Sequence, residues 1–151
     1  MCKVTFRRRS VLVLLLTAVA TLAGCSDKQK AEVAMRRACL GRLGEAYLQY
    51  HAAEKRSPAG VEEFATYVLE SAKKDDETAK ALATRMQERD IVVFWNANLD
   101  SAAENNGQHV LAFEATCPGN GGYMVTVDGT VDHVTAKKFG EMTEVEHTEA
   151  E

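Results

Sequence analysis

The sequence predicts an α+β domain in which a long N-terminal helix and two short helices pack on a small antiparallel sheet of about four strands. Three observations predict it. Apolar residues recur at helical spacing in three segments up to Arg89; β-branched and aromatic runs replace that period from Ile91; and Asn106-Gly107 and Asp128-Gly129 stand between such runs as hairpin turns. Helices that precede strands in this way argue for α+β, with the first helix lying across one face of the sheet.

From Ala31 to about His51 the chain has no proline, and Met35, Cys39, Leu43, Ala46 and Tyr50 recur at steps of three or four. Leu40 and Tyr47 widen that stripe, while Arg36, Arg37, Arg42, Glu45 and Gln49 fall mostly outside it. Pro58 and Gly60 close the segment, and a second helix starts at Val61 with Phe64, Ala65, Val68 and Leu69 as its apolar positions. A third runs from about Asp76 to Arg89, capped by Asp75 or Asp76, and buries Ala79, Leu82, Ala83 and Met86. Its acidic first turn and basic last turn complement the helix dipole.

"IVVFW" from Ile91 reads as a strand covered on both faces. After the polar "NLDSAAENNG" comes "HVLAFEAT", in which strict alternation sets Val110, Ala112 and Glu114 opposite Leu111, Phe113 and Ala115. "GYMVTV" and "TVDHV" flank Asp128-Gly129, the two-residue loop favoured by type I′ turns, with Gly129 and Asp128 at positive φ. Tyr123, Val125 and Val127 then share one face, and Met124 and Thr126 the other. Thr135 caps a short helix through Phe139, and residues 141–151, with five glutamates and no basic residue, read as a solvated, disordered tail.

Ahead of the domain, Arg7, Arg8 and Arg9 precede an apolar run from Val11 to Ala23. That run is 13 residues long, short of the roughly 20 that span a bilayer, so residues 1–24 read as a signal peptide. Leu22-Ala23-Gly24-Cys25 resembles the lipobox of bacterial lipoproteins. The resemblance implies cleavage before Cys25, multiple acylation of that cysteine, and, with Ser26 following it, placement on the periplasmic face of the outer membrane. Residues 25–30 then form a short linker and residues 31–140 a single domain. A chain starting at Cys25 carries 14 basic and 22 acidic side chains, a net charge of −8. Such a chain is unsuited to nucleic acid or to anionic headgroups, so the lipid supplies its membrane affinity. Cys39 and Cys117 remain, and outside the cytoplasm they form either a disulfide or two buried thiols.

Two further segments resemble a known group. "LGRLGEAYLQYHAAEKRSPAGVEEF" and "GGYMVTVDGTVDHVTAKKF" are similar to the end of the first helix and to the terminal segment of a large bacterial group of prepilin-like proteins with a His-x9-Asp-Gly signature and no known function. The resemblance implies a pilin-like head. The chain departs from that group in two respects: Pro118 occupies the place of the signature histidine, and a lipobox replaces the prepilin leader. A pilin polymerises through an apolar helix, which here is the polar "SDKQKAEVAMRR".

No catalytic set emerges. The glycines of "CPGNGG" lead into a strand, whereas a phosphate loop leads into a helix, so they read as a loop between strands. Asp132 and His133 point to opposite faces, so they cannot clasp one metal ion. No cofactor is called for. The reading is a non-enzymatic, lipid-anchored envelope protein with a protein partner in the envelope. Two alternatives are a secreted inhibitor or chaperone-like lipoprotein, marked by an exposed patch at "NLDSAAENNG", and a metal-assisted hydrolase, which needs the histidines to converge.

Overall fold

A computed structural model describes residues 9–99 and 109–142, with side chains from Asp27 onward. The chain divides into two compact units, Met1–Ala34 and Met35–Glu151. The described part of the first is helical, with Asp27 to Ala34 exposed. All of the packing below belongs to the second.

Helix α1 spans Arg9–Glu54 without interruption, through the 25–30 segment where a linker was expected. Lys28 to Arg37 are mostly strong helix formers, and nothing among them breaks the hydrogen-bond ladder. The helix stops at Lys55, which takes φ +57 and returns its N–H to the His51 carbonyl at 2.9 Å. That left-handed cap ends it before Ser57-Pro58. Helix α2, Val61–Ser71, buries Phe64, Ala65 and Val68 but leaves Leu69 exposed, contrary to the sequence reading. Helix α3, Glu77–Gln87, is capped by Asp76, whose carboxylate accepts the Ala79 N–H at 3.0 Å. It ends two residues short of Arg89, which itself sits at φ +64.

The sheet is antiparallel throughout, in the order β1-β2-β3-β4, from strands Ile91–Val93, Val110–Glu114, Gly122–Thr126 and Val131–Val134. Strand β1 is shorter than predicted and has one exposed position, Val92, because it lies at the sheet edge. Strict alternation fails in β2. A bulge between Val110 and Ala112 turns Leu111 and Ala112 together toward the helices and sends Val110 and Phe113 to the other face. An inserted residue shifts the side-chain phase by one, which a sequence with apolar residues at every position does not reveal.

Both faces are covered. On one, Leu40, Leu43 and Tyr47 of α1 meet Phe64, Leu82, Leu111 and Val125 in the main core. On the other, Val110, Phe113, Cys117, Met124 and Val134 form a smaller cluster. Two short helices lie beside this second face: α4, Cys117–Asn120, and α5, Ala136–Gly140. Helix α4 forms where a plain loop was expected, and Pro118 suits its first turn. Helix α5 is capped as predicted, the Thr135 hydroxyl accepting the Lys138 N–H at 3.3 Å. Its Phe139 ring packs tilted against Phe113, with centroids 4.7 Å apart.

Candidate functional site

The Asp128-Gly129 hairpin lies against α1. The Gly129 N–H donates to the Thr126 carbonyl at 2.9 Å and Gly129 takes φ +83. Asp128 is not in the left-handed region, so the two-residue type I′ loop is replaced by a longer turn whose glycine forms the bulge. The Asp128 carboxylate accepts the Thr130 N–H at 2.9 Å and the Thr126 hydroxyl at 2.5 Å. Burial pushes its carboxyl up, but these bonds outweigh it and hold the group below the ordinary range. The carboxylate therefore shapes its own turn. Tyr123, Val125 and Val127 share the helix-side face and Met124 the opposite one, as alternation predicts.

Gly121 in "CPGNGG" has a structural cause. Gly121 takes φ +76, and a Cβ there would fall 2.5 Å from the Val134 carbonyl oxygen. That backbone approach belongs to the α4–β3 junction.

Cys39 and Cys117 are both fully buried thiols. They sit in different clusters, Cys39 in the main core and Cys117 in the smaller one. The Cys39 thiol faces the Thr78 carbonyl at 4.0 Å, and that of Cys117 donates to the Tyr123 carbonyl at 3.3 Å. Of the two arrangements open from the sequence, the structure carries the thiols. Burial pushes the Cys117 thiol up, opposite to what a nucleophile needs.

The polar groups that matter most were not singled out in the sequence. Arg36 on α1 reaches Glu114 at the end of β2 through two bonds, Nε to Oε1 at 2.6 Å and Nη2 to Oε2 at 2.5 Å. The same Oε2 accepts the Tyr123 N–H at 2.8 Å. A second pin joins α1 to the segment after β1. The Tyr47 hydroxyl donates to the Phe94 carbonyl at 3.0 Å and accepts the Ala97 N–H at 3.3 Å. Ser57 donates to the Ala97 carbonyl at 2.6 Å. Its oxygen lies 3.4 Å from His51 Nδ1, but a buried hydroxyl whose proton is given to a carbonyl is a tie, not a nucleophile. A third pin closes the α1–α2 turn. Glu63 accepts from Arg56, from the Ala59 N–H at 2.8 Å and from the Tyr50 hydroxyl at 2.6 Å. These bonds, Arg56 foremost, lower its carboxyl to about 2, while burial and then Glu63 raise the Tyr50 phenol to about 12.

His133 lies edge-on to Tyr123 with ring centroids 5.0 Å apart. Among the described residues no three His, Cys, Asp or Glu side chains gather into a group that could hold a metal ion, and no helix is long and apolar enough to cross a membrane. Asn106 and Gly107 lie outside the described residues, as do the side chain of Cys25 and most of the acidic tail. No family model, no curated protein and no solved structure matches the chain.

Proposed function

We propose that this chain is a bacterial envelope lipoprotein, anchored through lipid on Cys25, whose pilin-like head has a structural or protein-binding role and no catalytic one. The observation that carries the reading is the order of the N-terminal residues: three arginines, a 13-residue apolar run, then Leu22-Ala23-Gly24-Cys25. Acylation by more than one chain anchors stably where a single chain does not.

The head supports a non-enzymatic role through how it uses its polar side chains. Glu114, Tyr47, Ser57, Glu63 and Asp128 each bond to backbone or to an opposite charge within the fold. The resemblance to prepilin-like heads draws support from a long helix packed on an antiparallel four-stranded sheet. The test is affinity isolation of the acylated full chain from detergent-solubilised envelopes after cross-linking. One envelope protein recovered in a fixed ratio supports a binding role, and a hydrolytic activity copurifying with the chain in place of a partner contradicts it.

A further inference from the structure

We draw no further inference here: the strongest candidate, the open edge of strand β4, which among the described residues pairs only with β3, carries nothing because nothing in the structure shows what covers it.

Discussion

Arg36 and Glu114, 78 positions apart, meet in a two-bond fork that fastens the first helix to the end of the second strand. The Glu114 side chain is only 6% exposed and that of Arg36 is 30% exposed. Removing the cation leaves a buried carboxylate with a single backbone donor, the Tyr123 N–H. Arg36→Met should therefore lower stability by about 3 kcal/mol, the low end for a broken buried pair because Arg36 is partly solvated. The double variant Arg36→Met with Glu114→Gln should recover part of that loss, since no buried charge is then orphaned. Urea denaturation of the single and double variants checks both expectations, and strictly additive losses would show that the fork is not coupled.

Gly44 and Gly121 both stand where an added Cβ would come within 3 Å of a neighbour. A Cβ at Gly44 would lie 2.8 Å from Val125 Cγ2 and 3.4 Å from Gly129 Cα, so α1 touches the hairpin there. Gly44→Ala gains about 1 kcal/mol in helix propensity and loses about 1–3 kcal/mol to overpacking, a net loss or near balance. Gly121→Ala has no compensating gain, because its positive φ and the Val134 carbonyl both oppose the methyl group. Thermal unfolding should show Gly121→Ala as the more damaging of the two.

The thiols should be silent in the native protein. Both are fully buried, and iodoacetamide should label neither Cys39 nor Cys117 until the chain is unfolded. Unfolded without reductant, both should be labelled. Failure of both to label under that condition would reveal a bridge, which in the chain-entropy model would be worth roughly 4 kcal/mol for a loop of this size.

Acid should loosen the α1–α2 turn before it disturbs the sheet. Glu63 has its folded value lowered from 4.5 to about 2. A lowered carboxyl contributes stability that is fully present above pH 4.5 and is lost as pH falls toward 2. Glu63 is partly solvated, which keeps the effect modest. Glu63→Gln should flatten the stability profile across that window, lowering it above pH 6 and changing it least near pH 2.

Much of the fold was legible because periodicity and caps act locally. The place before a helical run marks Asp75 or Asp76 and Thr135 as caps, and the side chains of Asp76 and Thr135 accept the N–H groups of Ala79 and Lys138. The bulge in β2 was not legible, because Val110 to Phe113 are apolar at every position and the pattern carries no phase. The turn at Asp128 was placed correctly but mistyped, since Thr126 and Thr130, not the Asp-Gly pair alone, determine its length. The Arg36–Glu114 fork was missed although Glu114 left a signal. A lone carboxylate inside "VLAFEAT" is costly to bury without a cation, and three arginines stand on the facing helix at 36, 37 and 42. Choosing among them required the helix rotation that only the fold supplies.

The intact mass of the protein recovered from carbonate-washed bacterial membranes decides whether Cys25 is the anchor. The expected result is a chain that begins at Cys25, lacks residues 1–24 and carries more than one acyl group, with the Cys25→Ser protein released or left uncleaved. A membrane-retained chain with an unmodified Cys25, or a Cys25→Ser protein cleaved and retained like the wild type, would rule out anchoring through this cysteine.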